Sequence, residues 1–134
     1  MSQEESNKQQ LIVYRLERAK ETLQDAHLLF DQGGSLGSVI NRSYYAMFYG
    51  VLALLTTIGR GSSKHSGVIS LFDQHFVKSG QFSISMSKAL HKAFDLRQIG
   101  DYRELLEFDE KQAEEILNSA DQFVEAVDTH LSIS

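Results

Sequence analysis

The sequence predicts an all-α protein, an up-and-down antiparallel bundle of four long helices plus one short helix. Three observations favour this fold class. The 134 residues include no proline, so no ring forces the backbone out of helical geometry. Apolar residues recur with a helical period in each segment between glycine-containing turns. Convincing period-two alternation and Asn-Gly or Asp-Gly hairpin turns are both missing from the sequence.

The first two predicted helices each carry one apolar stripe. In the first helix the stripe recurs at alternating steps of four and three: Ile12, Leu16, Ala19, Leu23, Ala26 and Phe30. The second helix is predicted over residues 35–58, with Ser35 as the N-cap after two glycines. Its stripe comprises Leu36, Ile40, Met47, Val51, Leu54 and Ile58. Stripes of this kind are typical of helices that pack against neighbours in a bundle.

Three further helices follow by the same criterion. A short helix over residues 68–78 places Leu71, Phe72 and Phe76 inward. A fourth over residues 83–99 buries Met86, Leu90 and Phe94, and Gly100 is a candidate for its end. The last runs over residues 109–131, with the stripe Ala113, Ile116, Leu117, Ala120, Phe123, Val124, Val127 and Leu131. Short connections between such helices require neighbours that lie roughly antiparallel.

Length and composition limit the classes of protein that the chain can be. One domain over residues 1–134 is expected, with residues 1–8 as a frayed N-terminal tail. Cysteine is absent, which excludes disulfides and thiolate metal sites. The polar start and the lack of an apolar stretch of about 20 residues predict a cytoplasmic protein without a membrane span. The net charge of −5 argues against a strongly basic nucleic-acid footprint over the whole chain.

The segment NRSYYAMFYGVLALL, residues 41–55, is the most apolar run in the chain, yet it opens with an arginine and three tyrosines. Arg42, Tyr45 and Tyr49 are spaced to form one ridge of a helix. One interpretation is a tyrosine-rich buried face whose hydroxyls reach water or carbonyls. The other is a cation beside stackable rings, which suits a phosphate and a base. Periodicity alone favours the first.

Two loops carry further polar candidates. GRGSSKHSG, residues 59–67, combines Arg60, Lys64 and His65 with glycines whose amides can cradle an anion, but taken alone this loop favours a solvated turn before a helix. In LRQIGDYRE, residues 96–104, Arg97 and Asp101 are four apart and can pair if the helix continues. Such a pair either fastens two helices or aims a guanidinium at a phosphodiester.

Other chemistries find little support in the sequence. The chain has no phosphate-binding P-loop and no G-x-S-x-G nucleophile elbow. The five histidines are far apart in sequence and form no H-E-x-x-H motif. We therefore expect neither a metal nor a cofactor.

Taken in order, four segments resemble the HEPN domain (higher eukaryotes and prokaryotes nucleotide-binding) in its stand-alone prokaryotic branch. They are RSYYAMF at 42–48, SKHSG at 63–67, FVKSG at 76–80 and RQIGDY at 97–102. The branch motifs that they match are Arg-x-Tyr-Tyr-Ala-x-Phe, a lysine–histidine–glycine turn, Phe-Val-Lys-x-Gly and Arg-x-x-x-Asp-Tyr. Each motif is short, but their order within a helical pattern over residues 10–130 is specific.

The resemblance implies a helical bundle that forms a homodimer with a cleft across its two-fold axis. Many members are metal-independent endoribonucleases, and several are toxins encoded beside a minimal nucleotidyltransferase that serves as antitoxin. Others bind nucleotides or act as accessory subunits. By resemblance, the candidate catalytic residues are Arg97, His65 and Asp101. The candidate nucleotide- or RNA-binding residues are Arg42, Tyr45, Lys64 and Tyr102.

The chain departs from the family's ribonuclease signature, an arginine followed after four to six residues by a histidine. After Arg97 the allowed positions hold Tyr102, Arg103 and Glu104. Arg60 and His65 meet the spacing, but in another loop, where a chance match is expected. Three interpretations therefore remain open. The chain is an RNA-directed protein of the toxin type with ribonuclease activity, or a non-catalytic module that binds a nucleotide or a partner nucleotidyltransferase. The third is a structural or assembly bundle without a site, in which Arg42 and Arg97 are buried in ion pairs.

Overall fold

The computed structural model describes the backbone of residues 2–102 and 108–133 and the side chains of residues 2–97 and 108–132. The elements in chain order are α1 (Gln3–Asp31), α2 (Leu36–Thr57), α3 (His65–Phe72), a π-helical segment (Asp73–Val77), α4 (Ile84–Tyr102) and α5 (Glu110–Ile133). The described residues contain no strand, and the predicted all-α fold is confirmed.

Side-chain caps set the beginnings of three helices. Ser35 is the N-cap of α2 as predicted, because its Oγ accepts a hydrogen bond from the Ser38 amide at 3.1 Å. Asp109 does the same before α5, where its Oδ1 accepts from the Gln112 amide at 2.7 Å. Ser2 caps α1, so residues 3–8 are helical and the predicted frayed tail over residues 1–8 is wrong for them.

Two helix boundaries near the candidate residues also differ from the prediction. α3 begins at His65, three residues before the predicted start at Val68, so His65 lies in a helical first turn. α4 continues through Gly100 to Tyr102 instead of ending at residue 99. A single glycine in a helix costs only about 1 kcal/mol relative to alanine, which helix packing overrides. Gly80, with φ +83°, lies in the turn that precedes α4.

The helix α2 is the centre of the bundle, since α1, α3, α4 and α5 all pack against it. Its fully buried side chains include Tyr44, Met47, Val51, Leu54 and Leu55. The order of contacts shows that α1 is antiparallel to α2, because Arg15 reaches Thr56 whereas Arg18 reaches Tyr49. No helix of the described residues is long and apolar enough to cross a membrane.

Candidate functional site

The predicted ridge on α2 is present as an aromatic row with a cation at its head. The guanidinium carbon of Arg42 lies 5.2 Å from the centre of the Tyr45 ring, and the Tyr45 and Tyr49 ring centres are 6.0 Å apart. All three side chains are half-buried. Arg42 donates hydrogen bonds from Nε and Nη2 to Oδ1 of the neighbouring Asn41. The ridge therefore presents a cation and ring edges at the boundary between core and solvent.

Tyr44 points into the core, and its hydroxyl is hydrogen-bonded to a histidine of another helix. Its side chain is fully buried, and Oη lies 2.7 Å from Nδ1 of His65. Burial raises the pKa of the Tyr44 phenol well above its usual value, and the charge of Arg97 acts in the opposite direction. The phenol is therefore protonated at neutral pH and fixes the position of one imidazole nitrogen.

His65 is held by stacking as well as by this hydrogen bond. Its ring lies 4.2 Å from the Phe48 ring with an angle of 15° between the planes, and 5.8 Å from the Tyr45 ring. Burial lowers the pKa of His65, and the positive charge of Arg97 lowers it further. His65 is consequently neutral at pH 7, the form that can accept a proton.

A close approach between loop and helix fixes where α3 begins. A Cβ atom added to Gly67 would overlap Oγ of Ser62 and would lie 2.8 Å from its Cβ. Oγ of Ser62 in turn accepts a hydrogen bond from the Lys64 amide at 3.2 Å. The glycine of the SKHSG segment therefore lets the preceding loop fold against the first turn of α3, the turn that carries His65.

Arg97 reaches the same place from α4. Its guanidinium carbon lies 5.3 Å from the centre of the Tyr45 ring and 5.6 Å from that of Tyr44. Tyr45 thus contacts two guanidinium groups, those of Arg97 and Arg42, and the imidazole of His65. The site is assembled from three helices around the two tyrosines of α2. We call the set Arg42, Tyr44, Tyr45, His65 and Arg97 the tyrosine cluster.

The remaining candidates have other positions. Lys64 is the exposed residue immediately before α3, next to the tyrosine cluster. Asp101 and Tyr102 belong to the last turn of α4, and their side chains lie outside the described residues. The expected Arg97–Asp101 pair therefore stays a prediction. Arg60 lines a different groove, beside Arg15 and Thr56.

Periodicity did not identify two residues of this site. Tyr44 lies off the ridge and Phe48 is an ordinary buried aromatic by pattern, yet both position His65. The signal that could have found them is the RSYYAMF motif, which contains both. The described residues contain no group of three or more His, Asp or Glu side chains that could hold a metal ion. The chemistry that these side chains offer is proton transfer by a neutral imidazole beside fixed cations.

Comparison with known proteins agrees with the fold and the motifs. The model of the HEPN domain family matches residues 12–130. A UPF0332 protein of Thermotoga maritima is 41% identical over 123 residues, which is 92% of each chain. Two proteins of Methanocaldococcus jannaschii named "Putative toxin" are 29% and 33% identical, over 87% and 84% of this chain and 78% and 82% of their own lengths. The chain belongs to the HEPN domain family.

Proposed function

We propose that this protein is an RNA-directed HEPN protein that cleaves single-stranded RNA at the tyrosine cluster without a metal ion, in the role of a toxin. The observation that carries the proposal is the meeting of His65 and Arg97 around Tyr44 and Tyr45. Family members of this type carry their histidine shortly after the arginine of α4. Here the histidine comes from the first turn of α3, and it contacts the same two tyrosines as Arg97 of α4.

The cluster supplies a base and a charge stabiliser for transesterification. When Nδ1–H of His65 donates to the Tyr44 oxygen, the lone pair of Nε2 is free to take the proton of a ribose 2′-hydroxyl. The 2′-oxygen then bonds to phosphorus, and the bond from phosphorus to the 5′-oxygen breaks. The 5′-oxygen takes a proton from water, and the products are a 2′,3′-cyclic phosphate and a 5′-hydroxyl. Arg97 and Arg42 stabilise the negative charge that develops on the phosphate oxygens.

The pKa of His65 sets the pH dependence of this reaction. A base must be unprotonated, and the pKa of His65 is lowered from 6.5 by burial and by Arg97. The cleavage rate should therefore rise with pH only below about pH 6.5 and should already be at its plateau at pH 7. An unperturbed histidine would reach its plateau at higher pH.

The test is cleavage of a labelled single-stranded RNA by the purified protein in excess chelator, with detection of the 2′,3′-cyclic phosphate end. Arg97→Ala and His65→Ala should each reduce cleavage by about 10²-fold or more. His91→Ala is the matched control, because it removes an imidazole that bonds to Asp73 outside the cluster. Expression of the wild type should arrest growth, and expression of Arg97→Ala should not. A wild-type protein that neither binds RNA nor arrests growth contradicts the proposal.

A second function is favoured by one observation, the absence of a histidine separated from Arg97 by four to six residues. In that case the cluster binds a nucleotide or RNA, or a partner nucleotidyltransferase, without cleavage. RNA binding that depends on Arg97, with no cyclic-phosphate product, would decide for this alternative. A nucleotide at 100 times its Kd should then stabilise the protein by about 2.7 kcal/mol in thermal unfolding. A homodimer is part of either proposal and is measured by light scattering.

A further inference from the structure

Three arginines, one in the tyrosine cluster and two beyond it, make no ion pair with a described carboxylate. Arg42 bonds to the amide oxygen of Asn41, and Arg18 donates to the Tyr49 hydroxyl at 3.2 Å. Arg15 donates to Oγ1 of Thr56 at 2.6 Å. The ion pairs between described side chains use lysine or histidine as the cation instead. The three guanidinium groups are therefore oriented by neutral oxygens and keep their full charge for an anion.

These arginines contact successive positions on one face of α2, at Tyr45, Tyr49 and Thr56. Tyr45, between Arg42 and Arg97, is followed one turn later by Tyr49, whose ring centre is 6.0 Å away. The guanidinium carbon of Arg18 lies 5.0 Å from the centre of the Tyr49 ring. Since α1 is antiparallel to α2, Arg15 comes next along the same face, at Thr56. This face thus carries two neighbouring rings flanked by guanidinium groups, and Arg15 continues it toward the carboxyl end of α2.

The series ends in an open groove between the start of α1 and the end of α2. Lys8, Arg15 and Arg60 line this groove together with Thr56, and Glu4 is the carboxylate among its lining residues. We call the row Arg97, Arg42, Arg18, Arg15, Lys8 and Arg60, with Tyr45 and Tyr49 between them, the arginine track. It gathers six of the 13 lysines and arginines of a chain whose net charge is −5. Two described carboxylates oppose this charge, Glu4 in the groove and Glu21, which acts on Arg18. The row therefore has a local excess of positive charge that the net charge of the chain conceals.

We propose that the arginine track binds a single strand of RNA with stacked bases that runs along α2 from the tyrosine cluster to the groove at Lys8 and Arg60. This inference rests on the proposed function and names its substrate as a strand of several nucleotides. Positions 42 to 56 of α2 span about 21 Å at 1.5 Å per residue. That is the length of about six nucleotides at roughly 3.4 Å each. A positively charged surface with aromatic rings on which bases can stack binds single strands with little sequence preference.

The test compares a 12-nucleotide strand with a trinucleotide, both as 2′-O-methyl RNA, which lacks the free hydroxyl and cannot be cleaved. Binding is measured by fluorescence anisotropy over a range of salt concentrations. The 12-mer should bind at least tenfold more tightly than the trinucleotide. The double variant Arg18→Gln/Arg60→Gln should remove most of that difference and leave trinucleotide binding unchanged. The slope of log K against log salt for the 12-mer should also fall, by about 0.7 for each phosphate that the variant no longer neutralises.

The control variant is Lys88→Gln/Lys111→Gln, which removes the same charge from exposed positions on α4 and α5. It should bind both strands like the wild type. Equal affinity for the two lengths, or a double variant that binds the 12-mer like the wild type, overturns the track. A track variant that changes the oligomeric state but not RNA affinity also overturns it and assigns this face to a contact between copies. Failure of the proposed function gives a different result from failure of the track. In that case the trinucleotide does not bind, or it binds with the same affinity when Arg97 or His65 is replaced.

Discussion

The first half of α2, from Arg42 to Tyr49, and the second half, from Val51 to Leu55, both contribute buried side chains, but the chemical types of those side chains differ. From Val51 to Leu55 the buried side chains are aliphatic, and their contacts are the apolar contacts of an ordinary core. From Arg42 to Tyr49 the same helix buries a phenol and a serine hydroxyl and positions an arginine at the surface. Buried polar groups stabilise a fold less than apolar groups of the same volume unless each finds a partner.

Under the proposed function, this difference assigns stability to one half of α2 and RNA binding to the other. The aliphatic half can be exchanged for any well-packed apolar set. The polar half needs particular partners, since the Tyr44 hydroxyl meets His65 at 2.7 Å and the Tyr45 ring meets two guanidinium groups. Substitutions in the two halves should therefore affect different measurements.

The largest effect on stability is expected for Leu54→Ala in the aliphatic half. Leu54 is fully buried, so the substitution leaves a cavity and should lower the free energy of unfolding by about 2–5 kcal/mol. Urea denaturation measures this change. RNA affinity of the folded fraction should stay within about twofold, because the cluster is not altered. A loss of stability below about 1 kcal/mol would mean that this half is not the core that the packing indicates.

Tyr44→Phe tests the polar half with minimal change in volume. It removes the hydroxyl that bonds to His65 and should cost about 1 kcal/mol of stability. The cleavage rate should fall by a larger factor than this loss of stability explains, because the imidazole loses the hydrogen-bond partner that orients its ring. Tyr45→Phe is the matched control, since the Tyr45 hydroxyl makes no hydrogen bond with a described residue. Equal losses of cleavage in the two variants would remove Tyr44 from its positioning role.

Ser43→Ala should change stability in the opposite direction. The Ser43 hydroxyl is fully buried and has no hydrogen-bond partner among the described residues. Removing an unsatisfied buried hydroxyl should raise the free energy of unfolding by about 1 kcal/mol. Urea denaturation of the variant beside wild type gives the sign directly. A destabilised variant would show that the hydroxyl has a partner in solution.

The smallest expected effect is a change in the titration of His65. Arg97→Gln removes a positive charge that lowers the pKa of His65, so that pKa should rise, although burial still keeps it lowered. A lowered pKa in the folded state gives a stability contribution that is complete above about pH 6.5 and is lost as the pH falls toward the folded-state pKa. That loss should be smaller in the variant. NMR titration of the imidazole measures the shift, and an unchanged pKa would show that the charge of Arg97 does not act on His65.

Much of the fold could be predicted because one helix needs only local information. The stripe of α1, the cap at Ser35 and the ridge through Arg42, Tyr45 and Tyr49 follow from residue spacing and hydrogen-bonding capacity. Helix ends were predicted less well. The sequence predicts that α4 ends before Gly100, but the backbone stays helical there and as far as Tyr102. Packing against neighbouring helices decides such ends, and a single residue does not encode it.

The sequence by itself determined that this chain is a helical bundle, that it carries the HEPN motifs in order, and that Arg97 lacks the usual histidine a few positions later. Only the tertiary structure decided which histidine shares its aromatic neighbours with Arg97. His65 is 32 positions before Arg97 in the chain, and both contact Tyr44 and Tyr45 because α3 and α4 both pack on α2. Spacing rules describe neighbours along one helix, whereas contacts between helices depend on how their apolar stripes pack together.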